Sequence, residues 1–340
     1  MPASRTDAPA VNDHLAEPLR LGDPDVHGPL AVFPIFGPAP RAEYVSFTQG
    51  RAAGAAIKEL EDGAAVNDLL VLNPTDQAIL LYEGEEVLGA QQNRTFDVSV
   101  LVRAHSQLQV PVSCVEAGRW DGGRHDESFS PAPQAAYPAL RSMKNRAARE
   151  SVAAGMEPRA MQGAVWDEVA GKSQRMNVHS NTGAMHDIYD GRRGRLDEFL
   201  SAISLHDGQT GALVLIGGRP AVLDHVSRPD VFAALHAPLV QGYALDALEN
   251  SNGSDPPTRP GTRTAEAFLR HVLRARITEH DGIGLGRDLR FAQTRVAGAG
   301  LVVGDELVQL TAFPEDEPDT NVSREMTAAR IRRPSRRRGA

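Results

Sequence analysis

The chain has 340 residues and a formal net charge of −8. This length is enough to bury a large core, and the negative balance argues against a nucleic-acid-binding surface, because phosphate neutralisation needs clustered Lys and Arg. The single cysteine excludes an internal disulfide framework. We see no apolar run of the ~20 residues that a membrane helix needs and no hydrophobic leader, so we expect a cytoplasmic protein without a membrane span.

The two ends of the chain differ in composition from the middle. Residues 1–28 are polar and rich in Pro, Ala and Asp, and residues 315–340 end in the basic run RRPSRRRGA. Neither stretch has enough apolar surface to fold on its own, so we expect a disordered N-terminal arm and a disordered C-terminal tail. No linker-like stretch divides residues 29–314, which we predict to form one continuous domain.

Short apolar stretches bounded by turn residues dominate the first half of the chain. Their alternation and their Gly or Pro boundaries predict strands at residues 29–37, 69–72, 78–82, 95–102 and 107–114. The turn residues NPTDQ separate the second of these strands from the third, which predicts that the two form a hairpin. Residues 48–60 are predicted as a helix. This half is therefore predicted to be an antiparallel meander.

Helical patterns occupy most of the second half. They predict two helices meeting at residues 155–158, and further helices at residues 195–203, 227–249 and 264–276. Hairpins are predicted at residues 212–225 and 300–313. These two hairpins and the NPTDQ hairpin share one pattern, an apolar strand, a tight polar turn and a second apolar strand. Either a duplicated unit or the common pattern of any buried hairpin explains this similarity. The predicted class is α+β, with antiparallel hairpins and helices packed largely on one side.

Two polar segments interrupt the apolar alternation, and we call residues 83–94 the first knot and residues 113–120 the second knot. In the first knot, Glu83, Glu85 and Glu86 lie within four residues of one another. Carboxylates held close together repel one another when all are ionised, which raises the pKa of at least one of them. A carboxyl with a raised pKa is suited to proton transfer. Alternatively, the three carboxylates together are suited to bind a hard cation. Acidic residues at strand ends are also often only solvated, so the structural alternative stays open.

The remaining knot residues are suited to bind an anion or a sugar. Gln91, Gln92, Asn93 and Arg94 supply amides and a guanidinium that suit a phosphate, a ribose or a carboxylate. The second knot adds three further candidates: Glu116, Arg119 and Trp120. Because two strands lie between the knots, we expect both knots at one end of the sheet, lining one cavity. The alternative is that the arginines pair with the glutamates and staple two loops.

Three other patterns are weaker indications of chemistry. Cys114 falls on the apolar face of its strand, which predicts a buried neutral thiol rather than a nucleophile. The polar segment 177–195 is a second candidate functional loop. Its possible metal ligands are His179, His186, Asp187 and Asp190. Their spacing does not match that of known metal sites, so we predict no metal site. DGIGLGRD at residues 281–288 mimics a phosphate loop, yet a strand pattern follows it instead of a helix.

The motifs YEGEEVLGAQQNRTFDVSVLV and VPVSCVEAGRW resemble the bacterial domain family named for its association with ADP-ribosylglycohydrolase and rhodanese-phosphatase proteins. GGRPAVLDHV, QGYALDAL and LTAF look like its later blocks, so the resemblance covers roughly residues 29–314. The positions that match are Glu85, Glu86, Gln92, Asn93, Arg94, Ser113, Cys114, Glu116, Gly118, Arg119 and Trp120. The resemblance implies a link to NAD and ADP-ribose metabolism and a functional partner of the ADP-ribosylglycohydrolase type, and it assigns no reaction or cofactor.

These observations lead to one functional hypothesis and one alternative. The hypothesis is binding, and in its catalytic version processing, of an ADP-ribose-like or nucleotide-derived ligand. Its catalytic candidates are Glu85, Glu86 and Glu116, with Arg94 and Arg119 on phosphate, Gln92 and Asn93 on ribose hydroxyls, and Trp120 stacking. The alternative is a non-catalytic interaction or structural protein, in which both knots serve the fold.

Overall fold

The computed structural model describes residues 8–60, 67–250 and 261–315, which form an α+β fold as predicted. The helices are α1 (Phe47–Ala52), α2 (Pro138–Ala153), α3 (Gln162–Arg175), α4 (Met185–Asp190), α5 (Arg193–Ala202), α6 (Pro229–Asn250) and α7 (Thr262–Leu273). The strands are β1 (Arg20–Leu21), β2 (Asp25–His27), β3 (Leu30–Phe36), β4 (Tyr44–Ser46), β5 (Ala56–Lys58), β6 (Asp68–Asn73), β7 (Ala78–Leu81), β8 (Glu85–Leu88), β9 (Arg94–Phe96), β10 (Val100–Val102), β11 (Ser106–Cys114), β12 (Ser130–Ala135), β13 (Gly211–Ile216), β14 (Arg219–Val226), β15 (Thr278–Asp281), β16 (Arg287–Gln293), β17 (Val296–Val303) and β18 (Glu306–Phe313).

The described strands form three sheets. The largest has the order β1-β3-β13-β14-β18-β17-β16-β15, with β2 also paired to β3. A second sheet has the order β12-β8-β9-β11-β6-β5, and the third has the order β10-β7-β4. Pairing is antiparallel throughout, except that β4 runs parallel to β7. The predicted hairpins β13–β14 and β17–β18 are confirmed.

Alternating residues of the large sheet feed two separate cores. Val214 and Val222 face a core to which helices α2 to α6 contribute, whereas Leu213 and Leu223 face a core built with α7. Period-two alternation sends neighbouring side chains to opposite faces, so this division follows directly from the apolar sequence of β13 and β14. Among the helices that the structure describes, α7 alone packs into the second core, so the prediction of helices packed largely on one side is confirmed.

The NPTDQ hairpin prediction is wrong in its pairing, although both of its strands exist. β6 pairs with β5 and β11, whereas β7 pairs with β4 and β10 in a different sheet. Asn73 explains the separation, because its side-chain amide donates to the backbone carbonyls of Gln77, Val102 and Arg103. This amide ties the turn to the strand β10 instead of closing a ladder between β6 and β7. The NPTDQ segment therefore does not form the first of the three hairpins that a duplicated unit would contain.

Two other elements are shorter than predicted. The helix expected at residues 48–60 ends at Ala52, because Gly54 adopts a φ of +107° and the chain continues as β5. The strand expected at residues 95–102 divides into β9 and β10 at Asp97. The buried Asp97 carboxylate accepts hydrogen bonds from Ser113 Oγ at 2.6 Å and from the Ala160 amide at 3.0 Å, which holds the chain in a bend.

The prediction of a disordered N-terminal arm is wrong for residues 8–28. β1 and β2 both pair with β3, and Val11 and Leu19 are buried. The Val11 amide donates to the Ala275 carbonyl at 3.1 Å. Composition alone missed this order, because the apolar surface that covers the segment comes from distant parts of the chain. Residues 1–7 and 316–340 lie outside the described residues, and a single domain over residues 29–314 stays a prediction.

α6 is the long central helix of the main core. By length and composition it is the one helix in the described part of the chain that is able to cross a membrane. Of its most apolar window, 72% is buried inside the protein, which is typical of a core helix. Pro238 lies within α6 and does not divide it into two helices. The expectation that no apolar run approaches membrane length is therefore wrong for this segment.

Candidate functional site

The three glutamates of the first knot point to three different places. Glu83 pairs with Arg141 of α2 at 3.0 Å, and the Glu85 carboxylate accepts from the Tyr82 amide at 2.7 Å. Glu86 accepts from Gln134 Nε2 of β12 at 2.6 Å. Glu85 and Glu86 are successive residues of β8, so their side chains leave opposite faces of the strand. The knot is therefore not a single carboxylate cluster.

Glu86 has the electrostatic properties of a proton-holding group. Burial raises the pKa of its carboxyl to about 8, and its Oε1 atom is buried without a hydrogen-bond partner. Gln134 Nε2 also lies 2.7 Å from His186 Nδ1 of α4. The His186 side chain is 23% exposed, so the chain Glu86–Gln134–His186 leads from the interior to solvent. Burial also raises the pKa of Glu85, to about 7.

The predicted proximity of the two knots is confirmed by direct hydrogen bonds, whereas the shared cavity that they were expected to line stays a prediction. The backbone amide of Asn93 donates to Glu116 Oε2 at 3.2 Å, and Gln92 Nε2 donates to the backbone carbonyl of Glu116 at 3.0 Å. Arg119 donates from Nε to Glu116 Oε2 at 2.8 Å and from Nη2 to Asn93 Oδ1 at 3.0 Å. The pairing of β9 with β11 sets this arrangement, since it places Arg94 opposite Cys114. The knots are held together by mutual bonds.

The second candidate loop joins the knots at the same place. The Gly118 amide donates to the Thr182 carbonyl at 2.6 Å, and Thr182 Oγ1 donates to Glu116 Oε1 at 2.9 Å. Although burial pushes the pKa of Glu116 upward, hydrogen bonds from Arg119 and Thr182 outweigh it and lower that pKa. We call the combined set the polar junction; its members are Glu86, Gln92, Asn93, Glu116, Arg119, Gln134, Thr182 and His186.

Arg94 and Trp120 occupy opposite extremes of exposure beside the junction. Arg94 is fully buried, with Nη1 donating to Gln92 Oε1 at 3.1 Å and Nη2 lying 3.6 Å from Glu59 Oε1. Its Nε and Nη2 atoms have no hydrogen-bond partner. Trp120 is 49% exposed. Arg94 therefore faces the interior, while Trp120 faces solvent.

Cys114 is fully buried on β11, as predicted, and burial raises the pKa of its thiol to about 11. We expect iodoacetamide at neutral pH to leave Cys114 unmodified in the folded protein, because the reactive thiolate is scarce and inaccessible. Mass spectrometry before and after unfolding in urea measures this, with the unfolded sample as the reactive control. Rapid alkylation of the folded protein would instead mark Cys114 as an activated nucleophile.

The sequence patterns did not predict a buried group of charged and hydroxyl side chains around Asp224. Arg141 of α2 donates to Asp224 of β14 at 2.5 and 3.0 Å and to Glu83 at 3.0 Å, all buried. Tyr82 and Tyr243 also donate to Asp224 through their hydroxyls, at 2.7 and 2.5 Å. We call these five residues the Asp224 cluster. The sequence does contain an indication of this cluster. Asp224 alternates with Val222 and Val226 on the core-facing side of an apolar strand, which predicts a buried carboxylate.

The possible metal ligands of the second loop are engaged with other groups. Ser180 Oγ donates to Asp187 Oδ2 at 2.6 Å, and His186 Nε2 lies 3.5 Å from Asp190 Oδ2. Within residues 8–60, 67–250 and 261–315, the histidine, cysteine and acidic side chains form no group of three placed to hold a metal ion. The junction therefore supplies acid–base and hydrogen-bonding groups rather than a described metal centre.

The fold and this site define the class: an α+β domain whose separated polar motifs meet at one partly buried junction. The ARG and Rhodanese-Phosphatase-superfamily-associated Protein domain, ARPP-1, matches residues 18–313, and the chain belongs to this family. The resemblance seen in the motifs is confirmed. The family name records an association with ADP-ribosylglycohydrolase and rhodanese-phosphatase proteins. No curated protein and no solved structure matches the chain.

Proposed function

We propose that the polar junction binds an ADP-ribose-like or nucleotide-derived ligand, and that Glu86 holds the proton used in its processing. The observation that carries this proposal is the environment of Glu86: a buried carboxyl with one unpartnered oxygen and a pKa of about 8. A carboxyl that stays protonated at neutral pH is suited to donate a proton to a leaving group. Gln134 Nε2 lies within hydrogen-bond distance of both Glu86 and His186, so it holds the two side chains in place but does not relay a proton between them.

The exposed groups beside the junction suit the two ends of such a ligand. Trp120 offers a half-exposed ring for stacking on a base, and Arg119, whose side chain is 20% exposed, offers charge for a phosphate. Glu116 and Asn93 hold the Arg119 guanidinium in place, which lowers the entropic cost of binding. In this proposal the buried Gln92 and Arg94 position the junction without touching the ligand.

The family association supports the ligand class. A domain named for its association with ADP-ribosylglycohydrolase proteins has ADP-ribose derivatives as its nearest chemical context. ADP-ribose carries a diphosphate, two riboses and an adenine, which match a guanidinium, amides and an indole ring.

A specific observation favours the non-catalytic alternative. Glu116, Arg119 and Asn93 hydrogen-bond to one another, and Glu83 pairs with Arg141, so these polar groups of the two knots already have structural partners. Buried pairs of this kind often fix loops rather than bind ligands. In this alternative the domain is an interaction protein, and the junction gives it a defined surface.

Calorimetry with ADP-ribose, with and without magnesium, separates the two functions. We expect the native protein to bind ADP-ribose at neutral pH and to lose about tenfold in affinity as the pH rises past 8, because ionised Glu86 repels an anionic ligand. Glu86→Gln should bind equally at both pH values. Arg119→Ala should bind at least about tenfold more weakly.

Glu85→Gln is the matched control, because it makes the same chemical change one residue away on the other face of β8. This variant should keep the loss of affinity at high pH. If the native protein binds no ADP-ribose under either condition and Arg119→Ala changes only thermal stability, the ligand proposal fails and the structural function stands.

A further inference from the structure

A cavity of about 560 Å³ lies where the N-terminal segment meets the C-terminal end of α7. Its lining residues are Ala10, Asn12, Asp13, Pro18, Arg270, Leu273, Arg274 and Arg276. The volume falls in the range of small-molecule sites. None of these residues belongs to the polar junction, and the proposed function makes no use of them.

Backbone hydrogen bonds between distant parts of the chain build the wall of this cavity. The Val11 amide donates to the Ala275 carbonyl at 3.1 Å, and the Ile277 amide donates to the Pro9 carbonyl at 2.9 Å. The side chains of Val11, Ala275 and Ile277 are buried. These bonds fix the N-terminal segment against the chain that follows α7, so the cavity is a product of the tertiary structure.

The charge of the lining is positive. Arg270, Arg274 and Arg276 are three of the eight lining residues, and Asp13 is the one carboxylate among them. The Asp13 carboxylate accepts from the Ala10 amide through Oδ2 at 2.8 Å. The chain as a whole has a formal net charge of −8, so this wall has the opposite sign to the rest of the protein. A local excess of positive charge in a cavity attracts anions.

Most of the guanidinium donors at this wall are available to a ligand. Arg274 forms no side-chain hydrogen bond or ion pair with another described residue. Arg270 lies 4.0 Å from Glu266, and both side chains are more than half exposed. Arg276 donates from Nη1 to the Ala8 carbonyl at 2.7 Å, which holds its guanidinium in place. Each guanidinium carries five N–H donors, so one such bond leaves the others free to bind acceptors.

Stabilisation of the helix end explains only part of this arrangement. Arg270 lies in the last turn of α7 and Arg274 is its C-cap residue, where positive side chains interact favourably with the helix dipole. Arg276 lies beyond the helix and lines the same cavity. An anionic ligand accounts for all three arginines, whereas the dipole accounts for two.

We propose that this cavity binds a small polyanion that carries a phosphate or diphosphate group. Guanidinium groups match phosphate oxygens in a bidentate manner, and several anionic oxygens are able to engage more than one of Arg270, Arg274 and Arg276. Asn12 adds an amide to the same wall, and Leu273 offers an apolar contact for the rest of the ligand.

Calorimetry with pyrophosphate, acetate and putrescine tests the proposal, at an ionic strength of about 0.05 M where screening of exposed charges is weak. We expect pyrophosphate to bind the native protein with a dissociation constant of about 1 mM or below, at least about tenfold more tightly than acetate, and putrescine not to bind. Arg274→Gln should weaken pyrophosphate binding about tenfold. The thermal unfolding midpoint of this variant should stay close to the native value, because Arg274 has no described side-chain partner to lose.

Arg263→Gln is the matched control, because Arg263 is an exposed arginine of α7 that does not line the cavity. This variant should bind pyrophosphate like the native protein. Arg119→Ala should also keep pyrophosphate binding, which separates this cavity from the polar junction. Loss of binding in Arg119→Ala but not in Arg274→Gln would place pyrophosphate at the junction and overturn this proposal alone. Equal binding of acetate or putrescine, or no binding of any probe to the native protein, would also overturn it.

Discussion

Arg141→Ala is expected to lower the free energy of unfolding by about 3–5 kcal/mol. The Arg141 side chain is 1% exposed and is the shared cationic partner of Asp224 and Glu83. Its removal leaves two carboxylates buried beside one another without their counterion. Burial already raises the pKa of Glu83 and Arg141 opposes that rise, so the variant should protonate Glu83 more readily. Urea denaturation at neutral pH measures the loss.

Arg146→Ala is the matched control for this experiment, since it lies on the same helix with a side chain that is 55% exposed. Its effect should stay within about 1 kcal/mol, the range of surface ion pairs. Adding Glu83→Gln to Arg141→Ala should recover part of the stability, because one of the two uncompensated charges disappears. Equal losses for Arg141→Ala and Arg146→Ala would show that the Asp224 cluster contributes nothing specific.

The second large effect is a loss of stability as the pH rises, caused by Glu86. The pKa of its carboxyl is about 8 in the folded protein and 4.5 ordinarily, so between these values the folded state holds a proton that the unfolded state releases. Its contribution to stability is therefore complete below a pH of about 4.5 and is lost as the pH rises through about 8. The full difference is on the order of 5 kcal/mol.

Glu86→Gln should remove the part of the fall in unfolding free energy that occurs above neutral pH. The variant should therefore be more stable than the native protein near pH 9. Glu85→Gln is the control. The pKa of Glu85 is about 7, so its effect on stability changes over a pH range that ends at a lower pH than that of Glu86. Midpoints of urea unfolding at three pH values from about 7 to about 9 distinguish the two variants. A Glu86→Gln protein with the native slope would place the titrating group elsewhere.

Glu83, Glu85 and Glu86 illustrate why adjacency in sequence is a weak guide to adjacency in a site. The knot predicts one carboxylate cluster, but β-strand alternation and the turn at Gly84 distribute the three groups to α2, to the local backbone and to β12. Gly84 adopts a φ of +82°, and a Cβ there would meet Arg141 at 2.7 Å. The two knots do meet, and what closes them together is the long-range pairing of β9 with β11.

The sequence by itself determined the local features that depend on neighbouring residues. Period-two and period-3.6 patterns gave the positions of most strands and helices, the α+β class and the buried Cys114, because burial of one face is written directly into the order of apolar side chains. The motifs of the two knots also identified the family. These inferences needed no knowledge of which strand lies beside which.

Only the tertiary structure decided the pairing of distant elements and hence the partners of each charge. It separated β6 from β7, placed residues 8–28 against β3, and brought Gln134 and His186 to Glu86. It also placed Asp224 between Arg141 and two tyrosines. The physical reason is that the pKa and hydrogen bonds of a buried group depend on atoms far away in the chain, which alternation along one strand does not encode.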